Sequence, residues 1–170
     1  MNYKRFIKGF AISSLLFLIL LGGFVVLIDP FFHYHKPIAP LKAVVTLPEH
    51  QCIGTVKNFD YDSLVLGSSV AENYNNHWFD EAFGGTTIKA IQKSALTVDL
   101  LYYLNKSLEN HELKNVYYSL DIAAIYSKDS DHVFPNDTLP LYLFNDYLLD
   151  DIKYVWNRDV IFQHIPYMVA

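Results

Sequence analysis

The chain has 170 residues, a formal net charge of −5 and a hydrophobic fraction of 52%. No basic cluster follows Lys8, so the electrostatic footprint of a nucleic-acid-binding protein is missing. The single cysteine, Cys52, allows no internal disulfide, and the fold must therefore be held by its core.

The first predicted element is a stretch of twenty uncharged residues from Gly9 to Ile28. At about 1.5 Å per residue, a helix of this length spans a hydrocarbon core of about 30 Å. The stretch is longer than the apolar region of a cleaved signal peptide, so we expect an uncleaved single-pass anchor. Basic residues among positions 1–8 predict a cytoplasmic tail there, with the remainder of the chain outside the cytoplasm.

Residues 29–57 contain several prolines and no sustained helical or strand period, which predicts a connector. Within it, His33 and His35 would point the same way in an extended chain, as a pair of metal ligands does. No third ligand is evident, and an aromatic and histidine belt at the membrane surface is the favoured alternative. We therefore predict no metal and no cofactor.

Residues 58–170 are predicted to form one domain. An apolar strand at 63–66 is broken by Gly67, and a polar helical segment follows from Val70. A shorter strand is expected at 88–91.

The second half of the pattern starts with a helix that Thr97 can cap and that extends to about Asn110. A buried strand is predicted at 116–122. Strand, helix and strand in this order indicate a parallel sheet covered by helices, so the predicted class is α/β. The leucines expected on one face of the helix are Leu100, Leu101, Leu104 and Leu108.

In open parallel sheets, ligands bind at the carboxyl ends of the strands. Ser69 follows the first strand and Asp121 lies near the end of the strand at 116–122, so both are expected at one crevice. A serine at a helix N-terminus suits acyl chemistry, because unpaired N–H groups there stabilise an oxyanion. The alternative is structural, because the run from Ser69 to Glu72 fits a capping box.

The stretch YDSLVLGSSVAENYN, residues 61–75, resembles the first sequence block of SGNH/GDSL-type hydrolases. It is most similar to their membrane-anchored DltD-like branch, which is associated with bacterial cell-surface polysaccharides. In that branch G-S-S or G-T-S replaces G-D-S, and the last serine, here Ser69, is the nucleophile. The runs DPFFHYHKP and NDYLLDDIKYVWNRDVIF also resemble the branch. The resemblance implies an SGNH-like, flavodoxin-like parallel-sheet domain.

The remaining family blocks match this sequence only in part. The glycine N–H of the oxyanion hole falls at Ser94-Ala95, where Ala95 replaces glycine, and Asp121 stands where the main family has asparagine. The D-x-x-H block that supplies the base lies farther from the serine in the family than this sequence extends. A literal D-x-x-H ending at His132 comes earlier than the family order requires, and a solvated acidic loop is the alternative.

Two functions follow as hypotheses. The first is a membrane-tethered serine esterase or acyltransferase that acts on cell-envelope glycans and, as a transferase, uses an acyl donor. The second is a non-catalytic membrane-anchored scaffold or glycan-binding protein, in which Ser69 only caps a helix. Because the base block is missing, we expect the given chain to be a fragment or a catalytically reduced relative.

Overall fold

The computed structural model describes residues 3–126, 128 and 140–170. Its longest element is the N-terminal helix α1, Tyr3–Ile28, the one described helix that is long and apolar enough to cross a membrane. Side chains around most of this helix are exposed, including Phe17 and Leu20. Only the last two turns bury residues against the rest of the chain, so α1 extends away from the domain.

The domain is built on a three-stranded parallel sheet of β1 (Ser63–Gly67), β2 (Thr87–Ile91) and β3 (Asn115–Tyr118). Strand β1 lies in the centre, in the order β2-β1-β3. The α/β class and the strands expected at 63–66 and 88–91 are confirmed.

The strand predicted at 116–122 is too long. The chain leaves β3 after Tyr118, and the short helix α5, Ile122–Tyr126, follows. Strand β3 is also not fully buried: Val116 is 44% and Tyr118 40% exposed, because β3 is an edge strand whose outer side meets no other strand among the described residues.

Helices lie on both faces of the sheet. After β1 come a 3-10 helix, Ser69–Asn73, and α3, Asn76–Phe83, and between β2 and β3 runs α4, Thr97–Asn110. The bounds of α4 match the prediction, but its N-cap residue is Leu96, whose N–H donates to Asp99 Oδ2 at 2.9 Å. The predicted leucine face is partly wrong, since Leu101 and Leu108 are exposed.

The connector predicted at 29–57 contains a helix that its sequence did not indicate. Helix α2, Pro48–Asn58, buries Cys52, Ile53 and Val56. A proline in its first turn and Glu49 beside it favour a helix start there. A Cβ on Gly54 would lie 2.0 Å from Phe31 O, so α2 lies directly on the backbone that follows α1.

The main core joins α2, α4 and one face of the sheet to residues near the end of α1. It includes Leu64 and Leu66 of β1, Tyr103 of α4, and Phe31 and Phe32. A smaller cluster on the other face of the sheet contains Val65, Ala71 and Ile91, with Phe79 and Tyr117 packed against it. Burial on both faces is typical of parallel sheets.

The C-terminal segment consists of short helical elements that return to α1. They are a 3-10 turn (Leu141–Leu143), α6 (Ile152–Val155), a π-helical turn (Val160–His164) and α7 (Ile165–Val169). A Cβ on Gly22 would lie 3.2 Å from Val155 Cγ1 and 3.5 Å from the Trp156 ring, so this segment lies against the last turns of α1.

Candidate functional site at the carboxyl edge of the sheet

The candidate site begins where the central strand ends. Gly67 is the last residue of β1, and a Cβ there would lie 2.5 Å from Ala71 Cβ and 2.9 Å from Ser119 Cβ. Only a residue without a side chain therefore lets the 3-10 helix and the segment after β3 approach so closely. The Ser119 N–H also donates to Leu66 O at 2.8 Å, which holds the end of β3 level with the end of β1.

Ser68 is the serine that occupies the capping position. It is buried, it is the N-cap of the 3-10 helix, and its hydroxyl accepts a hydrogen bond from Val70 N–H at 3.5 Å. The capping box predicted from Ser69 to Glu72 is therefore wrong by one residue. The reason is that Ser68 still has extended backbone angles and Ser69 is already helical.

Ser69 is exposed, and its hydroxyl has no hydrogen-bond partner among the described residues. It is the first residue of a 3-10 helix of only five residues, so the contribution that we expected from a helix dipole is small. The fold places Ser69 just after the end of the central strand, where it is open to solvent.

Asp121 meets Ser68 instead of Ser69. The Ser68 hydroxyl donates to Asp121 Oδ2, and the Asp121 carboxylate is only half-buried. The early end of β3 explains this contact, because residues 119–121 turn towards the end of β1 before α5 begins. The structure thus places Asp121 at the expected edge of the sheet, with Ser68 as its partner.

Ala95 lies in the turn that follows β2. Its N–H, the expected oxyanion donor, donates to Gln92 O at 3.1 Å, so it is already used within the turn. The neighbouring Ser94 has a φ of +57°, the left-handed region that favours glycine. The left-handed residue of this turn is therefore Ser94, directly before Ala95.

Gln92 is a polar residue at this edge that was not among the predicted site residues. Its N–H donates to Gly67 O at 3.2 Å, so it lies beside the end of β1. Its side chain is buried, and both amide atoms have no hydrogen-bond partner among the described residues. Buried amides are nearly always satisfied, so such a group is expected where a water or a ligand completes the site. A polar residue directly after an apolar strand was the available signal.

A histidine base for Ser69 is not found in the described part of the chain. His132, the candidate from the sequence, lies outside the described residues. Each of five other histidines has a contact elsewhere: His33 with Asp151, His35 with Val26 O, His77 with Glu81, His111 with Val56 O and His164 with Thr46. The remaining one, His50, packs against the Phe31 ring.

The histidine pair in the exit segment, the residues 29–35 that follow α1, does not form a metal site. His33 Nε2 lies 3.0 Å from Asp151 Oδ1, whereas His35 Nε2 contacts Val26 O at 2.9 Å, so the two rings diverge. Among the described residues, no group of three or more metal-ligating side chains is found.

The two histidines instead belong to a buried polar cluster around Asp29. The Asp29 carboxylate accepts hydrogen bonds from the N–H groups of His33, Tyr34 and His35 and from the Tyr154 hydroxyl, the last at 2.6 Å. Asp29 has a φ of +46°, which this short polar residue tolerates. Burial, followed by the nearby Asp151 and Asp29 carboxylates, raises the pKa of Tyr34. The cluster therefore keeps its tyrosines neutral and fixes the chain where it leaves α1.

A separate cleft of about 570 Å³ lies between α2 and the outer edge of β2. Cys52 lines it, and its sulfur accepts a hydrogen bond from Ile91 N–H at 3.3 Å. Burial raises the pKa of the Cys52 thiol to about 11, so this cysteine is not a nucleophile near neutral pH. Because Cys52 covers part of the β2 edge, its role is structural.

Comparison with known proteins gives no match: no family model, no curated protein and no solved structure matches this chain. The similarity of residues 61–75 to the SGNH/GDSL block therefore stays a prediction from sequence.

Proposed function

We propose that this chain is a membrane-tethered serine esterase or acyltransferase that acts on cell-envelope glycans, with Ser69 as the nucleophile. The observation that carries the proposal is an exposed Ser69 hydroxyl at the end of the central strand, next to a Ser68 hydroxyl that Asp121 holds. Carboxyl ends of parallel strands are where such folds bind ligands. The substrate class and the SGNH-like family rest on sequence resemblance alone, that of residues 61–75 and of the runs DPFFHYHKP and NDYLLDDIKYVWNRDVIF.

In the proposed reaction, Ser69 Oγ attacks the carbonyl carbon of an acyl ester. A serine–acyl ester forms, the bond to the substrate alcohol breaks, and the Ser69 proton passes through a base to the departing oxygen. Water then releases the acyl group as an acid, or a glycan hydroxyl accepts it, and Ser69 is regenerated. His132 is the proposed base.

Ser68 and Asp121 have a positioning role in this scheme. Their hydrogen bond fixes the turn that presents Ser69 and joins the ends of β1 and β3. The buried Gln92 amide supplies two N–H donors close to the same edge, and a developing oxyanion needs such donors. We propose that Gln92 contributes in place of the Ala95 N–H.

Labelling by a fluorophosphonate probe tests the nucleophile. The protein as its gene encodes it, in native membranes, should become labelled, and Ser69→Ala should abolish labelling. Because Ser68 and not Ser69 caps the 3-10 helix, Ser69→Ala should leave the fold intact. Asn73→Ala, an exposed change in the same short helix, is the matched control and should label normally. Labelling that survives in Ser69→Ala would show that another residue reacts.

The proposed location, with α1 in the membrane and the domain outside the cytoplasm, needs a separate test. Cys52 is buried and unsuited to thiol labelling. The exposed change Asn73→Cys, in a Cys52→Ser background, should react with a membrane-impermeant maleimide in intact cells. Reaction only after the membrane is permeabilised would reverse the orientation.

A non-catalytic scaffold or glycan-binding protein is the second candidate. It is favoured by one observation: no histidine in residues 3–126, 128 and 140–170 contacts Ser69. In that case the wild-type protein would remain unlabelled by the probe yet bind envelope glycan fragments, and Ser69→Ala would bind them equally well.

A further inference from the structure

Residues 148–169 are the last part of the C-terminal segment. They lie beside the part of α1 that is proposed to be in the membrane. Its Val155 and Trp156 side chains contact Gly22, which is six residues before the end of α1 at Ile28. At about 1.5 Å per residue, Gly22 lies about 9 Å below the exit, within one leaflet of a hydrocarbon core about 30 Å thick. A segment that touches Gly22 therefore reaches the depth of lipid tails.

The inward side of this segment packs on α1 and on the exit segment. Val160, Ile165 and Met168 are buried in the same core as Val25 and Ile28. The Tyr154 hydroxyl is bonded to Asp29, and the Tyr154 ring stacks on Phe31 at a centroid distance of 5.3 Å. These contacts fix the segment at one height along α1.

The outward side of the segment is apolar and uncovered. Six large side chains are between 41% and 78% exposed: Leu148, Leu149, Ile152, Trp156, Phe162 and Tyr167. On α1 itself, the neighbouring Phe24 and Leu27 are 46% and 56% exposed. The exposed apolar side chains of the segment thus lie at the same height along α1 as the exposed side chains of the helix itself.

The few charges of the segment suit a membrane interface. Lys153 pairs with Asp150 at 2.9 Å, and Asp151 pairs with the buried His33. The adjacent Arg158 and Asp159 have opposite signs, as do the groups of a zwitterionic lipid headgroup. Tryptophan and tyrosine are the aromatic residues enriched at this depth.

We propose that residues 148–169 form a second membrane contact, embedded in the outer leaflet beside α1, with phospholipid as its partner. This inference rests on the proposed anchorage of α1 and is independent of the chemistry at Ser69. The contact would hold the domain at a fixed height and tilt over the bilayer.

Tryptophan quenching by brominated phospholipids tests the proposal, because the chain has two tryptophans. Trp156 is in the segment, whereas Trp78 is on α3 and 59% exposed. The full chain is reconstituted in phosphatidylcholine vesicles as Trp78→Phe, which leaves Trp156, and as Trp156→Phe, which leaves Trp78. We expect bromines near the headgroup end of the acyl chain to quench Trp156 and to leave Trp78 unchanged.

Two substitutions at exposed positions sharpen the result. Phe162→Asp, in the Trp78→Phe background, should reduce quenching of Trp156 by weakening the lipid contact. Val70→Asp, on the exposed side of the 3-10 helix, is the matched control and should have no effect.

The outcomes separate this inference from the anchorage on which it rests. If alkaline carbonate leaves the protein in the vesicles but lipid bromines do not quench Trp156, the second contact is disproved and the anchor remains. Equal quenching of Trp78 would also overturn it, since the whole domain would then lie on lipid. If carbonate extracts the protein, the anchorage fails and the inference fails with it.

Discussion

The exit segment and the carboxyl edge of the sheet each contain a conspicuous aspartate, but the two carboxylates are held differently. Asp29 at the exit is buried and accepts four hydrogen bonds. Asp121 at the sheet edge is half-buried and accepts one hydrogen bond from a described residue, Ser68. A carboxylate whose lone pairs are used by the chain itself specifies structure, whereas Asp121 retains capacity for other donors.

The backbone shows the same contrast. At the exit, three consecutive N–H groups converge on one side chain, and α2 lies on the exit segment with no space at Gly54. At the sheet edge, Gln92 is buried with an unpaired amide and Ser69 is open to solvent. The exit is therefore expected to be intolerant of substitution, and the edge is expected to be the place where function is located.

The largest expected effect is at the exit. Asp29→Ala leaves three N–H donors and the Tyr154 hydroxyl without their acceptor, at about 1–3 kcal/mol for each buried group. We expect a loss of at least about 3 kcal/mol in the free energy of unfolding, measured by denaturant titration in detergent micelles. Asp60→Ala removes an exposed carboxylate paired with Lys36 and is the control, with no measurable change expected. Equal midpoints for the two variants would contradict a structural role for Asp29.

The next largest effect is expected at Gly54. A Cβ there would lie 2.0 and 2.6 Å from the backbone oxygens of Phe31 and Phe32. Because these are backbone atoms, no change of side-chain rotamer can relieve the clash. Gly54→Ala should therefore destabilise the domain by about 3 kcal/mol through overpacking. Gly23→Ala is the matched control, because nothing lies within 4 Å of its Cβ position. A normal melting temperature for Gly54→Ala would show that α2 does not lie against the exit in this way.

A smaller effect separates the two serines at the sheet edge. Ser68→Ala removes an N-cap and the bond to Asp121, which should cost about 1 kcal/mol. Ser69→Ala should leave stability unchanged, since its hydroxyl is exposed and has no described partner. Thermal unfolding of both variants measures the difference. If Ser69→Ala is the more destabilising change, the capping assignment is wrong.

The smallest expected effect at neutral pH is a pH dependence of the free energy of unfolding, which two histidines near the exit segment cause. Burial lowers the pKa of His50 and of His164, whose rings both pack against the Phe31 ring. Glu49 opposes the shift at His50, and Asp159 opposes it at His164.

Because both folded-state pKa values are below the ordinary 6.5, the unfolded chain binds more protons below that pH. Stability is therefore complete above about pH 6.5 and falls as the pH drops below it. The double variant His50→Gln, His164→Gln should flatten this slope between about pH 7 and pH 5, whereas His77→Gln, at an exposed position, should not. An unchanged slope in the double variant would assign the pH dependence to other groups.

The sequence predicted the sheet better than its surroundings. Apolar runs and helical periods are local signals. They therefore predicted the strands at 63–66 and 88–91 and the helix from Thr97 to Asn110. Helix α2 was missed because its polar and apolar residues show no clear period, and it is stabilised by contacts with β2, α4 and the exit. Tertiary packing decided that element, which no local pattern could show.

For the candidate site, the sequence predicted Asp121 and the GSS motif at one edge of the sheet, where the structure has them, but it paired Asp121 with Ser69 instead of Ser68. Topology alone brings the ends of β1 and β3 together, so Asp121 was expected near the GSS motif. Which serine meets it depends on where the helical backbone begins, a matter of one residue that propensity does not resolve. Gln92 was missed because an orphaned amide is visible only once burial is known.

The bond between Tyr154 and Asp29 has a consequence for biogenesis. It joins residues 125 positions apart, so the exit cluster is a contact of very high sequence separation. During synthesis, Asp29 leaves the ribosome long before Tyr154 does. Its carboxylate therefore lacks the Tyr154 hydroxyl as a hydrogen-bond donor until then. The local sheet and helices can form earlier, because contacts close in sequence form faster than distant ones. Packing of the domain against its own N-terminal helix is thus the late step, completed only after residues 151–154 have been synthesised.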